Sequence, residues 1–315
     1  MVEAPTLLPE GRTDDRTRLG YAMVATAATL FALNGSVMKV TLGSGLTPVE
    51  LSQLRHTCAA VLFLAFLVAF APGRLRVGWR ELGFLVVFGL VCIAFQQWLY
   101  LVAIENVPIG VALLIVFTAP LFVALFARFV YRERIRRRVW LALVLCITGL
   151  ALVVEIWAGI AFSTVGVTAA FGSALVLTAY YLMAEHERKH RDAVSLTFYG
   201  FLFAALLWAV IHPLWDFPWA VLDDRVSLQG NLSEYTAPVW LLVAFIVVFG
   251  TMITFSLLTG SLRHLGATRA SIVATLEPVV ATVIAWAWLG ETFGATQLVG
   301  GAVVIVGILV AQSAR

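Results

Sequence analysis

A carboxylate and a helix breaker stand side by side at Glu277 and Pro278, inside "ATLEPVVATVIAWAWLGE" (residues 274–291), and no other charged residue lies between Arg269 and Glu291. Eight residues of helix at ~1.5 Å each would carry Glu277 ~12 Å into a hydrocarbon layer. A charged side chain at that depth costs about 2.5–3.5 kcal/mol, so such groups face a cavity or a partner. Two chemistries suit the position. Glu277 supplies a polar contact for cargo or a proton, or it hydrogen-bonds backbone at the Pro278 kink, where the Ala274 carbonyl loses its usual donor. Arg55 offers the complementary charge: its guanidinium either snorkels outward or turns inward to meet an anionic group. His56 is either a hydrogen-bonded packing residue or, with Glu277, a proton-coupling candidate, because imidazole exchanges protons near neutral pH.

Uncharged hydrogen-bonding groups accompany these. In "QQWLY", Gln96 and Gln97 lie four and three residues before Tyr100, so either glutamine shares a helix face with the tyrosine. Asn34 and the pair Tyr180 and Tyr181 add further donors and acceptors. Each is either a substrate contact or interhelical glue worth ~0.6 kcal/mol. The candidate substrate-binding set is Glu277, Arg55, Asn34, Gln97, Tyr100 and Tyr181. Lys39 is expected at an interface, and Trp98, Trp208 and Trp286 are expected to pack.

Other chemistries lack their residues. No HExxH, paired-Asp or Ser/His/Asp set supports an intramembrane enzyme, and no P-loop supports direct use of ATP. Cys58, Cys92 and Cys146 sit inside apolar runs without metal-ligand spacing, so no disulfide framework, metal or cofactor is expected. Asn231 opens an N-x-S triplet, a weak signal.

The elements that must position these residues follow from composition. The 315 residues are 61% hydrophobic and only 12% charged, with a mean hydropathy of +0.96, whereas about a quarter of a soluble domain is charged. Ten apolar runs, each long enough for a ~30 Å core, fall near 20–42, 48–71, 82–104, 108–130, 139–157, 164–184, 194–213, 238–261, 269–289 and 292–312. Every Lys and Arg except Lys39, Arg55 and Arg225 falls on one side if both termini are cytoplasmic, as the positive-inside rule requires. The basic run "RERIRRR" is explained by this topology signal and is not taken as a nucleic-acid site. The chain is therefore expected in the cytoplasmic (inner) membrane.

A shift of 158 aligns residues 105–154 with 263–312 without a gap. Pro120 then meets Pro278, Glu133 meets Glu291 and Gly149 meets Gly307, while Glu277 meets Ala119. Pro120 and Pro278 are the expected helix kinks, and only one of them carries a neighbouring carboxylate. For the first two helices of each half the best shift is about 144 to 146, aligning Gly20 with Gly166. Two halves of five crossings force the second to enter the bilayer upside down. The expected fold is an all-α integral membrane protein of ten transmembrane helices, two inverted five-helix repeats around a central cavity. Its parts are a polar tail (1–18), a first repeat (19–157), a second repeat (164–312) and a short tail (313–315).

The stretch "YLVAIENVPIGVALLIVFTAPLFVALFARFVYRERI" and its partner "GSLRHLGATRASIVATLEPVVATVIAWAWLGETF" resemble the paired signatures of EamA-type permeases of the drug/metabolite transporter superfamily. "LFALNGSVMK" and "LRHTCAA" fit the same pattern. The resemblance implies alternating access, with relatives that move amino acids, other metabolites or drugs, often outward. The expected function is a secondary transporter, an exporter of a small polar metabolite such as an amino acid or of a drug-like compound. A channel or a non-transporting partner subunit is the alternative. A proton is the expected coupling partner, and family analogy favours a monomeric pathway.

Overall fold

A computed structural model describes residues 11–129, 137–154, 163–187, 192–258, 260, 261, 264, 273 and 276–312. Helices dominate: α1 (Gly11–Leu42), α2 (Pro48–Phe70), α3 (Trp79–Val87), α4 (Gln96–Asn106), α5 (Ile109–Val116), α6 (Ala119–Phe129), α7 (Arg137–Val154), α8 (Thr164–Glu187), α9 (Ala193–Ile211), α10 (Val239–Val247), α11 (Leu276–Ile284) and α12 (Ala295–Gln312). Five runs are long and apolar enough to cross a membrane: Thr17–Leu42, Pro48–Phe70, Glu81–Asn106, Val194–Ile211 and Val239–Leu258. Shorter apolar helices occupy the other stretches in which the sequence predicts spans.

Burial is reversed relative to a water-soluble protein. Val144, Ile147, Val210 and Trp286 are exposed, whereas Ser36, Ser52, Gln53, Arg55, His56 and Thr251 are buried. With lipid as the outer solvent, apolar side chains gain nothing by hiding, and polar ones find partners only inside. The ends of helices are fixed by local chemistry. Thr47 and Glu50 form a capping box before α2, with Pro48 in its first turn, and Asp192 accepts the Ser195 N–H to open α9.

The expected kink at Pro120 is a full interruption. Pro120 has no N–H for the Val116 carbonyl, and the helix stops as α5 at Val116 and restarts as α6 at Ala119. The intervening turn is held by Phe117 N–H on Leu113 O (2.8 Å) and by the Thr118 N–H and hydroxyl on Ile115 O (3.1 and 2.6 Å). At the other kink, Pro278 lies in the first turn of α11, and Ala274 is outside the described residues. The Pro120 side chain is also outside them.

The helices carry π-helical turns that periodicity did not foretell: Phe88–Phe95 joins α3 to α4, Val248–Ile253 follows α10, and Ala285–Leu289 ends α11. Phe95 and Ile253, the last residues of the first two, differ by 158 positions. The same offset governs the contact between α7 and α12. Cys146 Sγ meets Val304 O at 3.6 Å, a separation of 158 residues. A Cβ added at Gly149 would fall 2.7 Å from Gly300 O and Val304 Cγ2; one added at Gly307 would fall 2.6 Å from Cys146 Sγ and 3.1 Å from Ala142 O. Exchanging each residue for its counterpart 158 positions away turns Gly149 with Gly300 and Val304 into Gly307 with Ala142 and Cys146, so the two helices meet through equivalent positions and run antiparallel.

Between α9 and α10 lies a small irregular element. Strands β1 (Arg225–Ser227) and β2 (Thr236–Pro238) pair antiparallel. Their connection carries Gln229 at φ 63° and Gly230 at φ 49°, a backbone conformation that glycine adopts at no steric cost. It is tied to the end of α11 by Asn231 Nδ2 donating to Ala287 O (3.0 Å) and by Trp288 Nε1 donating to Leu228 O (2.8 Å).

Candidate functional site

Inside the helices is a cavity of about 210 Å³. One face of α1 lines it with Val24, Ala27, Phe31, Asn34 and Met38, a stretch of fifteen residues or ~21 Å at helical rise. Arg55 enters from α2, Gln96, Gln97 and Tyr100 from α4, Tyr180 from α8, and Glu277 from α11. The remaining wall is apolar, including Leu113, Val116, Phe117, Leu177, Phe255 and Leu258. Greasy walls with few converging polar groups are the usual make-up of a small-molecule site.

Arg55 turns inward, only 2% exposed. Its Nε donates to Thr251 Oγ1 (3.1 Å), and its Nη1 donates to Gln97 Oε1 (2.6 Å) and toward Met38 Sδ (3.5 Å). Among the described residues no carboxylate lies within ion-pair distance of it. A guanidinium held only by neutral acceptors keeps its full positive charge, and a single anion can neutralise it. Glu277 lies on the same cavity without an ion partner among the described residues. Tyr100 lines the same cavity as both. The sequence spacing sets Arg55 and Glu277 too far apart for a confident direct pair, and no such pair forms.

The other candidates separate into groups. Asn34 is buried at the cavity wall; its Nδ2 points to Met38 Sδ at 3.8 Å, and its Oδ1 has no hydrogen-bond partner among the described residues. Gln96 and Gln97 both reach the cavity, but they differ: Gln96 shares hydrogen bonds with Ser173 (3.3 Å), whereas Gln97 serves Arg55. The Tyr181 side chain lies outside the described residues, and its neighbour Tyr180 holds the corresponding place on the wall. His56 does not line the cavity. Its Nδ1 meets Ser52 O, and its ring leans on Phe201 at 5.4 Å between centroids. Trp98 and Trp208 pack on one another at 6.2 Å, and Trp286 faces outward.

Lys39 does not snorkel to the interface. Its Nζ donates to Glu291 Oε1 (2.7 Å) and to Val107 O (3.3 Å), and Glu291 also accepts the Ile109 N–H at 3.1 Å. One carboxylate thus ties the end of α1 to the start of α5 and to the segment after α11. Thr251 and Met38 are the site residues that sequence reasoning passed over. Threonine hydroxyls inside apolar helices mostly bond their own backbone, so Thr251 gave no signal of its own.

A second cavity, of about 390 Å³, lies between α6 and α8, lined by Phe122, Leu125, Phe126 and Phe129 on one side and Leu175, Thr178, Ala179 and Leu182 on the other; its one polar side chain, Thr178, bonds backbone carbonyls. It carries none of the charged residues.

Comparison with known proteins agrees with this geometry. The profile of the EamA-like transporter family matches twice, over residues 18–155 and 164–312. An uncharacterized transporter of Archaeoglobus fulgidus is 27% identical over 93% of this chain and 96% of its own. The uncharacterized transporter YdfC of Bacillus subtilis is 24% identical over 84% of this chain and 81% of its own. The threonine/homoserine exporter RhtA of Escherichia coli is 26% identical over 80% of this chain and 78% of its own. A protein of known crystal structure superposes with a TM-score of 0.58 at 20% identity, covering 95% of this chain and 96% of that one; at that identity the likeness concerns the fold alone.

Proposed function

The chain belongs to the EamA-like transporter family, and on that premise we propose that it is a secondary carrier of a small zwitterion such as an amino acid, working by alternating access in the cytoplasmic membrane. It is a multi-pass membrane protein of transporter kind. The finer reading is ten crossings in two inverted repeats, both termini cytoplasmic, with export as the working direction. Three structural facts support it: the π-turns at matching positions, the reciprocal contact between α7 and α12, and the cavity wall itself. Under the offset of 158, Gln97 and Tyr100 correspond to Phe255 and Leu258; under an offset of about 146, Phe31 and Asn34 correspond to Leu177 and Tyr180. All eight line the cavity. A self-complementary contact between equivalent elements is what a two-fold operator produces, and in transporters such repeats enclose the cargo site.

The observation that carries the functional reading is a guanidinium and a carboxyl group on one cavity, neither of them ion-paired among the described residues. Neither is required by its helix: Ala119 is equivalent to Glu277 at the offset of 158, and Gly200 is equivalent to Arg55 at the offset of 145 that superposes the N-caps Thr47 and Asp192 of α2 and α9. An amino acid answers both: its carboxylate meets Arg55 and its ammonium meets Glu277, while the apolar wall takes the side chain. The name of the exporter RhtA, a relative at 26% identity, favours the same cargo class. On this reading the Lys39–Glu291 contact closes the end of α1 near Met38, and the cavity runs on to Val24, the end that the proposed topology makes cytoplasmic.

Counterflow in proteoliposomes with a panel of amino acids is the test. Saturable uptake accelerated by unlabelled amino acid inside is expected. Flux that never saturates and shows no trans-stimulation would instead support a channel. Normal exchange by Glu277→Gln would remove the role given to that residue.

A further inference from the structure

Thr251 stands where two unusual features meet. Its hydroxyl donates to Ile246 O at 2.9 Å, five residues back, and accepts Arg55 Nε at 3.1 Å. In an α-helix a threonine hydroxyl bonds the carbonyl four residues back; the wider π-helical turn Val248–Ile253 sets it on the fifth instead. With its proton committed to Ile246, the oxygen can only accept, and the guanidinium supplies the donor. Gln97 Oε1 holds Nη1 from the other side at 2.6 Å. The Nη2 group has no hydrogen-bond partner among the described residues, and Arg55 lines the cavity.

The other repeat supplies a natural control. The equivalents of Arg55 and Thr251 are Gly200 and Ile93, and these also touch: a Cβ on Gly200 would fall 2.8 Å from Ile93 Cγ1. The contact between the two helices is therefore general, and its polar version occurs once. Packing alone accepts an apolar pair there, so the Arg–Thr pair answers a need other than helix association.

We propose that Arg55 is an anion subsite for the carboxylate of the cargo, and that Thr251 and Gln97 are positioning residues that fix its guanidinium. The inference rests on the carrier reading above. It reassigns Gln97 from cargo contact to support, and it gives the π-turn at Val248–Ile253 a role: to present Thr251 Oγ1 as an acceptor.

The test uses the full chain in proteoliposomes and the amino acid that drives counterflow best, together with its carboxamide, which keeps the side chain and ammonium but lacks the carboxylate. Each competes against labelled amino acid. In the unaltered protein the amino acid is expected to compete far better than its amide. In Thr251→Val that preference is expected to fall roughly tenfold through a higher KM, with Vmax within about twofold, and Thr251→Ser is expected to restore it; loss of a charge-assisted hydrogen bond has this size. General destabilisation would weaken both ligands alike and leave the preference unmoved. If Thr251→Val does not fold, Gln97→Met is read the same way. An unchanged preference in the folded variant overturns the positioning role, and no preference in the unaltered protein overturns the anion subsite. Failure of every amino acid to drive counterflow overturns the carrier reading itself.

Discussion

Glu291→Gln removes the charge that joins Lys39 to the end of α11 while keeping the shape of the side chain. The contact is short, 2.7 Å, and its side chains are 23% and 11% exposed. A hydrogen bond to a charged group contributes about 1.5–3 kcal/mol when well shielded, and partial exposure moves the figure to the lower end, about 1.5 kcal/mol. If that contact exists only while the outer side is closed, its loss shifts the closed–open equilibrium about tenfold, since 1.4 kcal/mol is a factor of ten. The assay is labelling of Met38→Cys, in a background without Cys58, Cys92 and Cys146, by an impermeant maleimide added outside. Met38 lies on the cavity directly below Lys39 in sequence. Labelling should accelerate about tenfold in Glu291→Gln and by a similar factor in Lys39→Met, with less than additive effect in the double variant. Unchanged rates in both single variants would refute the latch.

The close approach of α7 and α12 leaves no room at Gly149, where a Cβ would lie 2.7 Å from Gly300 O; Gly149→Ala should cost about 1–3 kcal/mol and lower the melting midpoint in detergent by several degrees, whereas Gly83→Ala, with nothing within 4 Å, should not lower it. Pro120→Ala returns a donor to the Val116 carbonyl, so amide exchange across 116–121 should slow and turnover should fall as the interruption stiffens. Asn231→Ala and Trp288→Phe each remove one hydrogen bond between the β1–β2 segment and the end of α11, about 1 kcal/mol apiece; protease added outside should cut within residues 224–238 faster in both.

The helices were legible because lipid imposes a simple rule on sequence, and the apolar runs therefore coincide with helices wherever the chain is described. Glu277 and Arg55 were legible for the opposite reason: a charge inside such a run stands out against its cost. The break after Val116 was visible as Pro120 and follows from its missing N–H. What could not be read is where a side chain turns when two directions are equally reachable. Arg55 went inward because Gln97 and Thr251, on other helices, offered acceptors, and Lys39 went to Glu291, 252 residues away. The π-turns were invisible because they arise from packing of the helices against one another; only overlaying Phe88–Phe95 on Val248–Ile253 in the fold marks them as a repeated feature. The β1–β2 segment has no apolar run to announce it in the sequence, yet it is paired within itself and tied to Ala287 and Trp288.

The duplication separates what holds this protein together from what it does. Features present in both copies are mechanical: the prolines Pro120 and Pro278, the π-turns, and the glycines Gly149 and Gly307 that let α7 and α12 meet at backbone distance. Features present in one copy are chemical: Glu277 against Ala119, Arg55 against Gly200, Thr251 against Ile93, Asn34 against Tyr180. On the proposed alternating-access reading the scaffold is served by like halves, because each state is then built from the same contacts exchanged between them. A site that must recognise one asymmetric molecule is served by unlike halves. A zwitterion, positive at one end and negative at the other, is the kind of cargo for which a symmetric frame would acquire a single cation on one side and a single carboxylate on the other.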